Sequence, residues 1–174
     1  VPLQTPRLDH LYSEALTELD DVVSKADGVP APGAVIDTYL QAIGGAEKAA
    51  GITSIVATGK VEAFGSFGGA GNFEFFAQAP DKRAMHSHLP DGESIRTFDG
   101  RAGWFAIPLA VVPKYPLAGG ELDGARLDAL LTFPAQIAQS LTAMRVGPRT
   151  EVGDKAVYLL QGNGARGSLA TLYF

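Results

Sequence analysis

The sequence predicts an α+β domain: a curved antiparallel sheet, shaped as a half-barrel, with helices packed on one face. Three observations carry that reading. Between residues 53 and 107, apolar side chains recur with period two and turn signals interrupt them about every ten residues. On either side of that stretch the apolar period lengthens to that of a helix. The stretch closes on Thr97-Phe98-Asp99-Gly100-Arg101-Ala102-Gly103-Trp104-Phe105, an aromatic hairpin with Asp-Gly at its turn. A one-sided sheet of this kind is a surface for holding something.

Two segments are expected: residues 1–33, an N-terminal helix with a proline-rich linker, and residues 34–174, the curved-sheet domain. Thr5-Pro6 supplies a capping hydroxyl followed by proline at the first helical position. Leu8, Leu11, Tyr12, Ala15, Leu16, Leu19, Val22 and Val23 then form one apolar stripe opposite Glu14, Glu18 and Asp21. Gly28 is a stop signal, and Pro30-Ala31-Pro32-Gly33 makes a stiff linker. A second helix carries Val35, Ile36, Tyr39, Leu40 and Ile43 on one side and ends at Gly44-Gly45. A short helical turn, residues 46–50, leads into the sheet.

The first strand alternates Ile55, Ala57, Val61 and Ala63 with Thr58, Lys60 and Glu62. A glycine-rich turn over residues 65–71 leads to Phe73, Phe75, Ala77 and Ala79, alternating with Asn72, Glu74 and Gln78. Pro80-Asp81 and Pro90-Asp91-Gly92 bracket a third strand at 83–89, and Asp99-Gly100 joins strands at 93–98 and 101–107. Residues 109–120 form an irregular, proline-punctuated loop that exposes Val111, Val112, Tyr115 and Leu117. Residues 121–143 are expected as helix in two pieces, jointed at Phe133-Pro134 because proline disfavours helix at the residue before it. The last strands are expected at 144–146, 156–161 and 168–174. The chain opens on Val1 without an apolar leader and stops inside an alternating pattern, so a processed or partial chain with further strands is expected.

The bulk numbers narrow the function classes. A chain of 174 residues, 46% hydrophobic and 19% charged, buries a real core and is not disordered. Its apolar run at 104–112 is interrupted by Pro108 and falls short of the ~20 residues a spanning helix needs. A net charge of −5 without a basic block lacks the electrostatic footprint of nucleic-acid binding. Zero cysteines exclude disulfides, thiolate metal sites and CxxCH haem attachment, so any redox role belongs to a partner and no cofactor is expected. That absence also suits an exported protein.

His86 and His88 lie two apart on one face of a predicted strand and could offer two imidazoles to a metal, with Asp91 or Glu93 across the turn as a third ligand. Two histidines alone rarely make a site, so both are assigned to the solvent face and no metal is assigned. No serine lies in a G-x-S-x-G elbow or a Ser-x-x-Lys pair, and no catalytic residue is assigned. Gly65-Ser66-Phe67-Gly68-Gly69-Ala70-Gly71 lacks a following Lys-Ser/Thr and precedes a strand, so it is a hairpin tip and not a phosphate loop.

The aromatic excess has more functional content. Phe64, Phe67, Phe73, Phe75, Phe76, Phe98, Trp104 and Phe105 crowd together, yet adjacent Phe75 and Phe76 cannot both face one core. N-terminal helices, a hydrophobic ligand or another protein must cover the remainder. Two residue sets follow: a hydrophobic pocket of Phe73, Phe75, Trp104 and Phe105, and docking elements comprising Leu8, Leu11 and Leu16 with Val111, Val112, Tyr115 and Leu117.

The segments Tyr39-Leu40-Gln41-Ala42-Ile43-Gly44-Gly45, Gly59-Lys60-Val61-Glu62, Ala79-Pro80-Asp81-Lys82-Arg83 and Phe98-Asp99-Gly100-Arg101-Ala102-Gly103-Trp104 resemble periplasmic lipoprotein-carrier-like (Lol-type) domains. Those domains are deeply curved antiparallel sheets closed by helices. The chain is similar, more closely, to the domain found beside reaction-centre-type c cytochromes in bacteria, through Leu117-Ala118-Gly119-Gly120-Glu121-Leu122 and Phe133-Pro134-Ala135-Gln136-Ile137. The resemblance spans roughly residues 35–174, supplies no catalytic residue, and lacks the haem-binding part. It implies a non-catalytic accessory subunit, periplasmic and peripheral to the membrane. Such a subunit would dock through a c-type cytochrome onto an electron-transfer complex such as a photosynthetic reaction centre. The alternative it implies is a carrier or sensor holding a lipid or acyl chain in the concave sheet.

Overall fold

Two antiparallel sheets share one helix between their cores. The structure, a computed structural model, describes residues 28–63, 69–108 and 110–174. The larger sheet has six strands in chain order: β1 Ser54–Ala63, β2 Gly69–Gln78, β3 Lys82–Leu89, β4 Gly92–Phe98, β5 Gly103–Ala106 and β6 Lys114–Pro116. The smaller sheet has three: β7 Thr142–Val152, β8 Lys155–Asn163 and β9 Leu169–Tyr173. Helices α1 Pro32–Ala42 and α2 Ala46–Ala50 precede the sheets, and α3 Gly119–Leu131 and α4 Ile137–Ser140 connect them.

The α+β class and the antiparallel meander match the sequence pattern, but the strands divide between two open sheets. The division follows from the β6–β7 connection. Two helices and a 3-10 turn, Pro134–Gln136, lift the chain off the sixth strand, and β7 starts a new ladder with register shifts at both Thr142/Arg145 and Val146/Arg149. Extra residues at such shifts bend and twist a strand, which turns β7 away from a flat continuation.

Local chemistry sets the element boundaries. Pro32 begins α1, where its missing N–H has no intrahelical partner anyway, and Val35 and Ile36 are buried one turn later. Phe133 is extended (φ −101°, ψ 113°) immediately before Pro134, the joint that proline imposes. The segment 109–120, expected as loop, instead holds, among its described residues, β6 and the start of α3 at Gly119. The prolines do not prevent this. Pro116 lies on an edge strand, where a missing donor costs no ladder bond, and the next amide, Leu117 N–H, donates to Gly103 O at 2.8 Å. Helix was expected to reach residue 143, but it stops at Ser140 and Leu141 is extended (φ −117°, ψ 140°), with its side chain buried in the smaller-sheet core.

Helix α3 explains why one short helix serves two cores. Leu122, Ala125 and Ala129 join Phe98 and Leu117 against the larger sheet. Leu127 and Leu131 join Val35, Ile36, Ile137, Leu141, Val146 and Leu160 against the smaller one. At about 100° per residue, these two sets project from roughly opposite sides of the helix. The larger-sheet side uses small residues because the approach is close. A Cβ on Gly103 would come within 2.7 Å of Leu117 Cδ1 and 3.0 Å of Thr97 O, so glycine is required there.

Leu160→Ala should cost about 2–5 kcal/mol, as for other fully buried leucines. Because α3 ties the cores together, urea unfolding followed by Trp104 fluorescence, a probe in the other sheet, should shift with the far-UV circular dichroism. A fluorescence midpoint that stays in place would mean the sheets unfold separately.

Candidate functional site: the outer face of the larger sheet

The strand register assigns every side chain of the larger sheet to one of two faces. On the inner face, Ala57, Phe75, Met85, Arg96, Phe105 and Tyr115 form one cross-strand row. On the outer face, Val56, Phe76, Ala84, Thr97, Trp104 and Pro116 form another. The inner row is half-buried and runs under α3 at its β4–β6 end. In the outer row, Val56 is 71%, Phe76 41% and Trp104 46% exposed. Three large apolar side chains on the open face of one row are the most conspicuous unsatisfied feature of this sheet.

Charged groups border that row. Lys114 Nζ sits 5.6 Å from the Trp104 ring centroid, and the His86 ring meets Phe76 edge-on at 6.1 Å. Beyond lies a polar patch from three strands: Glu93 Oε1 is 3.3 Å from His86 Nδ1 and 3.8 Å from His88 Nδ1, and Glu74 Oε2 is 3.4 Å from His88 Nε2. The two histidines therefore do meet Glu93, one of the acids considered from sequence. Among the described residues, however, no group of three or more such side chains is arranged to hold a metal ion. The patch is an exposed imidazole–carboxylate network whose pairs are each worth about 0–1 kcal/mol.

The residues singled out from sequence fall in several places. Phe73, Phe75 and Phe105 share the inner face, where the Arg83 guanidinium lies 5.2 Å over the Phe75 ring and Phe105 meets Tyr115 edge-on at 5.9 Å. Trp104, grouped with them as pocket-lining, points to the opposite face because it is adjacent to Phe105 in the same strand. Val111 and Val112 protrude from the β5–β6 loop, 102% and 56% exposed. Tyr115 is half-buried, and its hydroxyl donates to Glu121 Oε1 at 3.4 Å; burial first, and that carboxylate second, push the phenol above its ordinary value. Leu117 is buried between the sheet and α3, a core residue not available to a partner. Leu8, Leu11 and Leu16, like Phe64 and Phe67, lie outside the described residues.

Sequence reading did not pick out Val56 as part of a surface, although the signal was present. Val56 and Phe76 are out of phase with the alternation that buries Ile55, Ala57, Phe75 and Ala77. It also did not foresee that Asp128 Oδ2 of α3 forms ion pairs with both Arg83 Nη1 at 3.1 Å and Arg96 Nη1 at 3.7 Å, while Arg83 Nε is buried without a partner.

No protein-family model, curated protein or solved structure matches this chain. Among the described residues no helix is long and apolar enough to cross a membrane.

The β4–β5 hairpin that presents Trp104 is held by Asp99, whose Oδ1 accepts the backbone N–H groups of Arg101 and Ala102, both at 2.8 Å. Those two donors, Ala102 first, hold its carboxyl below the ordinary value of 3.8. A depressed native value means the carboxylate's support of the hairpin is complete above that ordinary value. It fades as pH falls through the native one. In a carboxyl-carbon NMR titration, Asp99 should titrate below 3.8; a midpoint at or above it would contradict the turn geometry.

Proposed function

We propose that this chain is a non-catalytic docking subunit that holds a protein partner against the outer face of its larger sheet. One observation carries the reading: the exposed apolar row Val56, Phe76 and Trp104. Isolated exposed apolar residues are ordinary, but three in one cross-strand row, joined through Ala84 and Thr97, resemble the centre of an interface more than a solvated face. Aromatic side chains supply the greater part of the binding energy at such centres, and the bordering Lys114, His86, Glu74 and Glu93 would form the polar rim. Val111 and Val112, at the end of the same sheet, extend the contact area.

The resemblance described above takes the proposal further. The Lol-type likeness and the chain's overall character fit a periplasmic accessory subunit. Its partner would be a membrane electron-transfer complex, reached through a c-type cytochrome. On this reading the electron-carrying group would belong to the partner, since the sequence has no cysteine for a CxxCH haem attachment.

A second reading has its own observation. Val61, Phe73, Phe75, Met85 and Leu89 line the inner face beyond the reach of α3's apolar side and are only half-buried. A carrier would lay an acyl chain along them. Native mass spectrometry of the purified chain separates the readings, since bound lipid adds mass and a docking subunit flies bare.

Affinity capture from detergent-solubilised membranes should recover a c-type cytochrome, read by its haem absorbance. Phe76→Asp, Trp104→Asp and Val112→Asp should each weaken that recovery while changing stability by no more than about 0.5 kcal/mol, because all three side chains are exposed. Undiminished haem recovery with all three variants would remove the outer face from the account.

A further inference from the structure

A cavity of about 320 Å³ opens between the flank of α3, α4 and the β8–β9 turn of the smaller sheet, lined by Asp123, Arg126, Gln139, Ser140, Arg166 and Ser168. Its size is within the range of about 300–1,000 Å³ that small-molecule clefts occupy. Its chemistry is unlike the rest of this acidic chain. Asp123 Oδ1 accepts from Arg126 Nη1 at 3.0 Å and forms an ion pair with Arg166 Nη1 at 3.4 Å. Two guanidiniums thus share one carboxylate oxygen, which leaves one positive charge in surplus and most of their N–H donors free.

That arrangement is built by the fold. Arg126 projects from α3 with its guanidinium 5.6 Å over the Phe98 ring of the larger sheet. Arg166 comes from the smaller sheet, on a β8–β9 turn closed by Gly164 N–H donating to Ser168 O at 2.8 Å and Gly167 N–H to Gly164 O at 2.9 Å. The turn presses directly on α3. A Cβ on Gly164 would come within 2.9 Å of Leu127 Cδ2, so the glycine lets the turn pack closely on that side chain. The helix that unites the two cores therefore carries Asp123 and Arg126 together, and the smaller sheet's turn brings Arg166 to the same carboxylate.

We infer that this cavity binds a small molecule through an oxyanion, a carboxylate or phosphate gripped between Arg126 and Arg166. Planar guanidinium forks match the paired oxygens of both groups. Gln139, Ser140 and Ser168 add neutral hydrogen-bonding groups, and Leu127 and Leu130 give the carbon body an apolar wall. Asp123 holds the two guanidiniums side by side when the cavity is empty, and the incoming anion meets the surplus charge. The site lies on α3, which covers the inner face, so ligand binding and outer-face docking stand or fall separately.

The test is isothermal titration of the full chain with inorganic phosphate and, separately, with succinate, at matched ionic strength set by sodium chloride. At least one probe should bind. Arg166→Ala should weaken that binding by roughly tenfold or more, the loss expected for one charge-assisted contact. Arg166 is 63% exposed on its side chain, so this variant keeps the fold, which an unchanged melting temperature without ligand verifies. Arg101→Ala, removing an exposed arginine on the β4–β5 turn, should bind as the parent does. Preference for phosphate or for succinate identifies the oxyanion. Binding that Arg166→Ala leaves unchanged, an equal loss in Arg101→Ala, or no heat with either probe at millimolar concentration overturns the inference.

Discussion

The constraint on which this structure depends is the two-sided burial of α3. A helix of this length normally offers one apolar stripe to one core. Here Ala125 and Ala129 press on the larger sheet while Leu127 and Leu131 enter the core of the smaller one. Small residues on the first side let the backbone approach Phe98 and Leu117, and the glycine at 103 removes the side chain that would otherwise hold Leu117 away. The polar positions left on the helix flanks hold arginines in pairs, Arg83 with Arg96 on Asp128 and Arg126 with Arg166 on Asp123. Packing and electrostatics thus fix the same helix in place from several directions.

That constraint decides which surfaces are left for function. Because α3 lies over the inner face, no helix among the described residues covers the apolar side chains of the outer face. The period of two in a strand does the rest: Phe75 goes inward, so its neighbour Phe76 goes outward. Trp104 and Phe105 repeat the arrangement three strands away. The outer row is therefore a consequence of placing consecutive aromatics in strands whose inner face is already committed.

Much of this architecture is legible in the residues. Alternation marked the first five strands, Asp99-Gly100 marked the hairpin turn, and Phe133-Pro134 marked the joint between helices. The β6 strand was hidden because its three residues include Pro116, a residue that signals a loop unless the strand is known to lie at an edge. The split into two sheets was hidden for a different reason: bulges at β7 and the lift imposed by α3 are tertiary events with no local signature. For the sites, the adjacency of Phe75 and Phe76 revealed that some aromatic surface would stay open. Which residues share that surface depends on register across six strands, so Trp104 was grouped with Phe105 when the two point apart. The Arg126–Asp123–Arg166 cluster joins residues from two distant segments and has no sequence signal at all.

The account's central claim is that the outer row is the contact surface, and carbene footprinting of the chain in its membrane-bound complex tests it most directly. Val56, Phe76 and Trp104 should lose labelling relative to the free chain, while exposed Tyr173 and Leu169 of the smaller sheet keep theirs. Full labelling of the outer row inside the complex, with protection confined elsewhere, would contradict it.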